Sequence, residues 1–387
     1  MARDPFAELG VRRVINAATT LTALGGTVLA DEVVEAMVAA SQSCVSIDEL
    51  QAGASGRLAA LTRNEDAYVT SGCAAAITLS VLACITKGRA DLIARLPYDE
   101  SLARKVVIHR AHRIPYDRAI ELGGGHLVEI GNVIQTFAWE LEAAIDDKTA
   151  AVFWVAGSHL PQTTLSLAET VAIAHAKGVP VIVDAAAQLP PLENLWRFTT
   201  ECGADLVLFS GGKALRGPQA SGLIVGSSAL LEAVRANASP LQRLARAMKV
   251  GKEEICGLVA AVERYVALDH GAVAATWEST VEMWRSSLSE VPGVTARRIA
   301  LNEAGQPVSR LELVVDPVVA GMTAGDVVAR LWAGTPRVAV LAGTENRLYV
   351  TPDTLADGED QVVLERLCAA LTTERAGTND EETTDVA

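Results

Sequence analysis

The run LVLFSGGK, at residues 206–213, places a lysine directly after an apolar stretch and two glycines. Consecutive apolar residues bounded by turn-forming residues are typical of a strand that is buried on both faces of a sheet. The two glycines leave space beside Lys213 for a flat ring, and dehydration of an amine favours the uncharged form that attacks aldehydes. Most lysines are solvated, so a surface position is the open alternative for Lys213.

A second apolar stretch, VPVIVD at residues 179–184, ends in an acid. A carboxylate at the end of a buried strand is costly unless a cation or hydrogen bonds accompany it. A protonated pyridinium nitrogen would be such a cation, and Asp184 would keep that ring electron-withdrawing. A turn cap, a metal ligand and a general base are the alternatives for Asp184. One helical crossover separates Asp184 from Lys213, so two neighbouring strands can present both side chains to one ring.

A third stretch, TSGCAAA at residues 70–76, is a strand end that runs into the start of an Ala-rich helix. A glycine there lets the backbone approach an anion, and the first N–H groups of the helix point towards that anion. The lysine of the G-x-x-x-x-G-K-[ST] motif is absent, so the stretch is not a P-loop. It predicts a phosphate-binding turn, and an ordinary helix N-cap formed by Ser71 is the alternative.

The middle of the chain alternates short strands with helices, which predicts βαβ crossovers and a mostly parallel, buried sheet. We expect a large domain at residues 50–245, and a linking helix with a small α/β domain at residues 246–371. The linking helix is predicted to run from about residue 240 to 270. Residues 1–49 are expected to contribute to the small domain and to an interface, and residues 372–387 to form a disordered acidic tail.

Composition excludes several classes of protein. Hydrophobic residues make up 50% and charged residues 21% of the 387 residues, as in a globular protein with a substantial core. The net charge of −14, with scattered Lys and Arg residues, argues against a nucleic-acid partner, because phosphate neutralisation supplies most of that affinity. The N-terminal stretch contains no apolar run that could serve as a signal peptide, and no apolar run reaches the roughly 18–20 residues of a membrane span. These features predict a soluble, cytoplasmic protein with no membrane partner.

Cysteine spacing argues against both disulfides and metal. The six cysteines lie far apart, with no C-x-x-C pair and no metal-ligand spacing, and we expect no metal. Their apolar neighbours predict that most are reduced core residues of a cytosolic protein. The cysteines are Cys44, Cys73, Cys84, Cys202, Cys256 and Cys368.

Together the three stretches resemble those of a known enzyme family. Over roughly residues 8–370 the chain resembles the fold type I enzymes that use pyridoxal 5′-phosphate (PLP), also known as the PLP-dependent transferase-like fold. Within that fold it resembles the group related to bacterial selenocysteine synthase and D-glucosaminate-6-phosphate ammonia-lyase. The matching stretches are GVRRVINA (10–17), DELQ (48–51), YVTSG (68–72), VDAAAQLPP (183–191) and FSGGKALRGPQ (209–219).

The resemblance implies a role for each of several residues. Lys213 is the Schiff-base and catalytic lysine, and Asp184 is the partner of the pyridinium nitrogen. His112 stacks on the cofactor ring, with an ordinary surface-loop position as its alternative, and Gln188 reaches the phenolic oxygen. The remaining implied contacts are those to the cofactor phosphate, from Ser71, Gly72, Cys73 and Ser210.

The resemblance implies less about the residues that bind the substrate. Related enzymes often carry a carboxylate-binding arginine shortly after a segment like GTP at residues 334–336, but Leu341 occupies the position where it is expected here. Arg337 and Arg347 are the candidate substitutes. Arg216 is a further candidate for anion recognition, with a structural loop role as its alternative.

The expected function is a PLP-dependent lyase of amino acid metabolism. It would act on a small amino acid or amino-sugar acid, release ammonia by α,β-elimination, and form a homodimer or a higher homo-oligomer. A PLP-dependent racemase, aldolase or aminotransferase is the alternative that keeps the cofactor. A catalytically inactive PLP-fold binding protein and a selenium transferase acting on charged tRNA are the alternatives from other classes.

Overall fold

The computed structural model describes residues 4–372, so the predicted disordered tail lies almost wholly outside the described residues. The strands, numbered in chain order, are β1 Val14–Asn16, β2 Asp66–Thr70, β3 Lys105–His109, β4 His126–Ile130, β5 Thr149–Val155, β6 Val181–Asp184, β7 Leu206–Ser210, β8 Gly222–Gly226, β9 Val294–Ile299, β10 Arg310–Val315, β11 Arg337–Ala339, β12 Leu341–Ala342 and β13 Arg347–Val350.

The α-helices, numbered in the same way, are α1 Pro5–Glu8, α2 Asp31–Ser41, α3 Ile47–Thr62, α4 Cys73–Thr86, α5 Ala90–Ile93, α6 Arg118–Leu122, α7 Ala138–Ala144, α8 Leu167–Ala176, α9 Asn194–Thr200, α10 Ser228–Asn237, α11 Lys252–Ala267, α12 His270–Leu288, α13 Pro317–Ala320, α14 Ala324–Ala333 and α15 Glu359–Leu371.

The larger compact unit comprises Thr20–Ala275 and Ala300–Val308. Its seven-stranded sheet has the order β2-β8-β7-β6-β5-β3-β4. Strand β8 pairs antiparallel with both β2 and β7, and the other pairs are parallel. The predicted α/β fold with a mostly parallel, mixed sheet is therefore confirmed.

Alternate side chains of the central strands pack on opposite faces of this sheet. In β6, Val181 and Val183 belong to one buried cluster, which includes residues of α3 and α11, and Ile182 belongs to the other, which includes residues of α4 and α10. In β7 the same alternation separates Phe209 from Leu208. Because both faces are covered, the strands are apolar throughout, which is why the sequence shows continuous apolar runs there.

The smaller compact unit combines the chain up to Thr19 with Thr276–Ile299 and the chain from Ser309 onward. It holds an antiparallel sheet of order β12-β13-β10-β9 and a parallel pair formed by β1 and β11. A cluster that includes the fully buried Trp284 forms its core. The domain boundaries expected from the sequence stay predictions.

The predicted linking helix was wrong in extent. The chain forms a short 3-10 helix at Leu244–Met248, and α11 begins only at Lys252, after Gly251. A second long helix, α12, follows α11 after a break at Leu268 and Asp269. Helical periodicity in the sequence indicated the apolar face of α11. It did not indicate that the helix begins only at Lys252 or that it ends before Leu268.

The expected burial of the cysteines was also wrong for most of them. Only Cys84 is buried, Cys44 is exposed, and the other four are partly exposed, although all six are free thiols. Apolar neighbours in sequence do not decide burial on a helix, where the residues on either side of a position point in other directions. In the described part of the chain, no helix combines the length and apolarity needed to cross a membrane.

Candidate active site

Four strand ends meet at one edge of the larger sheet. Thr70 of β2 and Ser210 of β7 pair with Gly222 of β8 from opposite sides. Asp184 of β6 pairs with Leu208 of β7 and with Val155 of β5. Strands β2, β5, β6 and β7 run in one direction, so the chain segments that follow them leave the sheet at the same edge. The fold therefore brings the turn after Thr70, Asp184 and the Lys213 loop together, as the sequence predicted.

The turn between β2 and α4 leaves the start of the helix open to an anion. Helix α4 begins at Cys73, its N-cap is Gly72 with a φ of 121°, and no side chain caps its first N–H groups. The Ser71 hydroxyl donates instead to the carbonyl of Met248, at 3.1 Å. The alternative in which Ser71 caps the helix is therefore wrong. Uncapped N–H groups at the positive end of a helix dipole fit the phosphate of PLP.

Gly222 lets β8 approach this turn closely. A Cβ atom at residue 222 would lie 2.6 Å from the carbonyl carbon of Gly72 and 2.8 Å from the nitrogen of Cys73. Both are backbone atoms, which cannot rotate away as a side chain can. A side chain at residue 222 would therefore push against the proposed phosphate-binding turn.

We expect Gly222→Ala to lower PLP affinity together with stability. Overpacking against backbone costs about 1–3 kcal/mol of unfolding free energy, and it would displace the N–H groups of α4. Gly53→Ala is the matched control, since a Cβ there meets no atom within 4 Å. Urea unfolding and PLP titration followed by absorbance measure the two effects. Unchanged affinity in Gly222→Ala beside an unchanged control would contradict the assignment of this turn to the phosphate.

Asp184 is a buried carboxylate with an incomplete set of partners. It is 6% exposed, and burial raises its pKa, while the Ala186 N–H and the charge of Lys213 act in the opposite direction. Its Oδ1 accepts the Ala186 N–H at 3.0 Å and lies 4.0 Å from the Sγ of Cys73. No group among residues 4–372 donates a hydrogen bond to its Oδ2. A protonated pyridine nitrogen would supply the missing donor and the compensating charge.

Lys213 lies in a loop that is fixed through its backbone. Its carbonyl accepts the N–H of Arg216 at 2.8 Å and the hydroxyl of Thr27 at 3.3 Å. Within the described residues, its amine forms neither a hydrogen bond nor an ion pair. The positive charge of Lys213 nevertheless opposes the rise that burial causes in the pKa of Asp184. An amine without a protein partner beside a buried carboxylate fits a covalent link to an aldehyde cofactor.

His112 is buried, so the alternative in which it is a surface-loop residue is wrong. It is 1% exposed, and its Nδ1 accepts the N–H of Val155 at 3.3 Å. Because a backbone N–H only donates, the proton of the neutral ring must be on Nε2, which donates to Thr164 Oγ1 at 3.3 Å. Burial, followed by the charges of His109 and His159, lowers the pKa of His112 to about 3. His112 is therefore a neutral ring in one fixed tautomer, and its stacking on PLP stays a prediction.

The buried histidine pair should make the protein sensitive to acid. Burial lowers the pKa of His109 from 6.5 to about 4, and the ring centroids of His109 and His112 lie 4.8 Å apart. Between these pKa values the unfolded chain binds more protons than the folded one, so stability is present above pH 6.5 and is lost as the pH falls. Lowering the pH from 7 to 5 should cost about 2 kcal/mol for each histidine.

The His109→Asn variant isolates this effect, because asparagine does not titrate. We expect its unfolding free energy to fall about 2 kcal/mol less than that of the unsubstituted protein between pH 7 and pH 5. Urea unfolding at both pH values measures the difference. Identical pH dependence in the two proteins would show that His109 is not held neutral by burial.

The other predicted site residues have the following contacts. The Gln188 amide donates to the carbonyl of Ala304 at 3.1 Å, and Ser210 is the last residue of β7. Arg216 has a φ of 53° and donates from Nε to the carbonyl of Val28 at 3.1 Å. Arg337 belongs to the smaller unit, where it donates to the carbonyl of Trp332 at 2.8 Å. The roles of these four residues toward cofactor and substrate stay predictions.

Sequence reasoning missed the residues that support the site from distant parts of the chain. Thr27 contacts the Lys213 loop, Met248 accepts from Ser71, and Ala304 accepts from Gln188. Two of these contacts use only a main-chain carbonyl, which every residue type offers, so no residue pattern marks them. The glycine pair Gly25-Gly26 is the local sequence feature that marks the segment before Thr27. In the structure, a Cβ at residue 26 would lie 2.7 Å from the carbonyl oxygen of Gly212, so this glycine allows the close approach to the Lys213 loop.

Known proteins resemble this chain over nearly its full length. A family model described as SelA, L-seryl-tRNA selenium transferase, matches residues 14–327. The chain is 36% identical over 376 residues to D-glucosaminate-6-phosphate ammonia lyase of Salmonella typhimurium, covering 95% of this chain and 98% of that one. It is also 36% identical over 368 residues to 5′-C-glycyluridine monooxygenase-decarboxylase of a Streptomyces species, covering 92% and 90%. A solved structure of D-glucosaminate-6-phosphate ammonia-lyase superposes with a TM-score of 0.84 at 35% identity, covering 96% and 99%.

Proposed function

The chain belongs to the SelA family, and we propose that it releases ammonia from a small amino acid or amino-sugar acid in a PLP-dependent elimination. It has the PLP-dependent fold type I architecture. The observation that carries the proposal is the meeting of three groups at one sheet edge: the uncapped start of α4, the buried carboxylate of Asp184 and the amine of Lys213, which has no partner among residues 4–372. Their donor chemistry fits the phosphate, the ring nitrogen and the aldehyde carbon of one PLP molecule.

Different residues would bind different parts of the cofactor. Lys213 would bind it covalently, the N–H groups at the start of α4 would bind its phosphate, and Asp184 would keep its ring nitrogen protonated. The proposed phosphate contacts involve Ser71, Gly72, Cys73 and Ser210. When bound, PLP supplies an electron-withdrawing ring that accepts the electron pair left when a bond to the substrate's α-carbon breaks.

Lys213 is the proposed general base at the α-carbon. Once released from the cofactor, its amine would lie beside the reacting atoms, where it would take up the proton. His112 is unsuited to that role, because its Nδ1 accepts from Val155 and burial holds its pKa far below neutrality. We propose that His112 instead provides a flat, neutral surface for the cofactor ring. Arg216 and Arg337 are the proposed contacts for the anionic groups of the substrate.

A second candidate function rests on the Streptomyces relative, whose identity to this chain is also 36%. That protein is described as a monooxygenase-decarboxylase of a glycyl-uridine. A related reaction here would consume O2 and release CO2, whereas an elimination consumes no oxygen. Oxygen uptake and CO2 release therefore separate the two candidates without any knowledge of the precise substrate.

We propose a cytoplasmic homodimer with a small-molecule substrate. The exposed face of α2 carries Val34 and Val38, which are 43% and 52% exposed and would be covered by a second copy. The net charge of −14 disfavours an RNA substrate, although the family description refers to tRNA. Sedimentation velocity measures the assembly state, and a monomer at micromolar concentration would contradict the dimer.

The proposed reaction is tested by product analysis. The PLP-loaded protein is incubated with a panel of amino acids and with D-glucosaminate 6-phosphate, and ammonia and 2-keto acid are measured by coupled dehydrogenase assays. We expect one substrate to give both products in equal amounts, with no oxygen consumed. Racemised substrate, exchange of the amino group with a keto acid, or oxygen-dependent CO2 release would each contradict the elimination.

A further inference from the structure

We propose that the segment Ala300–Val308, called the strap below, positions Gln188 at the candidate active site and slows the escape of bound cofactor. This inference rests on the proposed function, because it assumes that PLP occupies the edge where Asp184 and Lys213 meet. The strap joins β9 to β10 in the chain and belongs to the larger compact unit by its contacts.

The strap is bound to two loops by two of its main-chain carbonyls and by the side chain of Gln306. The Ala304 carbonyl accepts the Gln188 amide at 3.1 Å and the Nδ1 of His159 at 2.9 Å. The Ser158 hydroxyl donates to the Gly305 carbonyl at 2.6 Å, and the Gln306 amide donates to the carbonyl of Leu189. Four hydrogen bonds therefore connect this nine-residue segment to the loops that follow β5 and β6.

The strap also has its own internal scaffold. Asn302 is 6% exposed, and its Oδ1 accepts the N–H groups of Ala304 and Gln306, both at 3.0 Å. Its Nδ2 donates to the side-chain oxygen of Gln306 at 2.6 Å. A buried Asn that fixes the backbone in this way holds the Ala304 carbonyl in one orientation. The acceptor for Gln188 is therefore preorganised.

The two loops that the strap contacts both leave the candidate site. Ser158 and His159 follow β5, whose Val155 binds the ring of His112. Gln188 and Leu189 follow β6, which ends at Asp184. The strap thus restrains the segments that extend from two adjacent strands beside the Asp184 carboxylate. The Ala304 carbonyl takes up one N–H of the Gln188 amide, which leaves its second N–H and its oxygen for the proposed contact with the cofactor.

Gly305 offers a sharp test, because its backbone touches the loop after β5. It has a φ of +74°, and a Cβ there would lie 2.8 Å from the nitrogen of His159 and 3.0 Å from that of Ser158. Gly305→Ala should therefore force the strap away from that loop. Gly178→Ala is the matched control, because Gly178 has a φ of +69° and open space around a Cβ. The two variants share the backbone strain of a left-handed alanine and differ in the collision alone.

Two measurements on these variants test the proposal. Hydrogen–deuterium exchange of the PLP-free protein should be faster at residues 157–166 and 185–191 in Gly305→Ala than in the control. The release of PLP from the loaded protein, followed by absorbance, should be about tenfold faster, because losing one or two neutral hydrogen bonds changes an equilibrium by about that factor. The absorption maximum of bound PLP should also shift, since Gln188 would lose its fixed orientation.

Each outcome of these measurements supports or overturns the proposed role of the strap. Unchanged exchange would show that the strap does not restrain the two loops, and it would overturn the proposal whether or not the protein binds PLP. Faster exchange with unchanged PLP release and absorption would overturn the positioning role. If Gly305→Ala does not fold, Ser158→Ala removes one of the strap's hydrogen bonds without a collision and should show the same changes to a smaller extent. Failure of the unsubstituted protein to bind PLP would instead contradict the proposed function.

Discussion

Replacing Lys213 with alanine should reduce turnover by roughly 10⁴-fold, the largest effect expected of any single substitution in this protein. The variant loses the amine that would hold the cofactor and the general base that would act at the substrate's α-carbon, and loss of a positioned proton-transfer group alone costs about 10²–10⁴-fold. The visible absorption of a lysine-bound cofactor should vanish as well. Steady-state ammonia release and an absorbance spectrum from 300 to 500 nm measure the two effects.

Lys148→Ala is the matched control for this experiment. Lys148 is exposed, and its amine donates to the carbonyl of Ser101, far along the chain from the candidate site. We expect its turnover and spectrum to equal those of the unsubstituted enzyme. Retention of a visible band by Lys213→Ala would show that another amine holds the cofactor, and retention of turnover would remove Lys213 from the mechanism.

The second large effect is expected from Asp184→Asn, which keeps the shape of the side chain and removes its charge. Without a carboxylate the ring nitrogen loses the partner that keeps it protonated, so turnover should fall by about 10²–10³-fold, as when a preorganised electrostatic group is removed from an active site. The loss should appear mainly in kcat, because Lys213 and the start of α4 would still hold the cofactor. Steady-state kinetics with saturating PLP measures the change.

Although Asp184→Asn should lower turnover, it should not lower the free energy of unfolding of the PLP-free protein. Burial raises the pKa of Asp184, so the folded protein binds the proton more tightly than the unfolded chain, and stability falls as the pH rises through that pKa. Asp184→Asn removes this cost, and its PLP-free form should be at least as stable as the unsubstituted protein at pH 7. A destabilised PLP-free variant with normal kcat would mean that Asp184 is a structural residue and does not serve the cofactor.

Much of the fold was predictable, because burial leaves a direct mark on the sequence. The continuous apolar runs of β6 and β7 report a sheet that is covered on both faces, and the crossovers between them fix a parallel order. The direction of the strands then places Asp184 and Lys213 at one edge, so their proximity follows from topology. The start of α4 was predictable for the same reason, since a strand that ends in Ser-Gly before an Ala-rich stretch specifies a turn into a helix.

The contacts that complete the site could not be predicted from local sequence patterns. The Ala304 carbonyl and the Met248 carbonyl act through main-chain atoms, and only the folded chain brings them to Gln188 and Ser71. The burial of His112 was left open in the sequence for a related reason. It follows β3 in a polar segment, and the Val155 and Trp154 groups that enclose it come from another strand.

Borohydride reduction of the PLP-loaded protein, followed by peptide mass spectrometry, shows whether Lys213 holds the cofactor. Reduction converts a carbon–nitrogen double bond into a stable secondary amine, so the cofactor stays on the lysine that held it. We predict one modified peptide, with the pyridoxyl group on Lys213, and loss of the visible band on reduction. Absence of both band and adduct after incubation with PLP, or an adduct on another lysine, would show that Lys213 does not hold the cofactor.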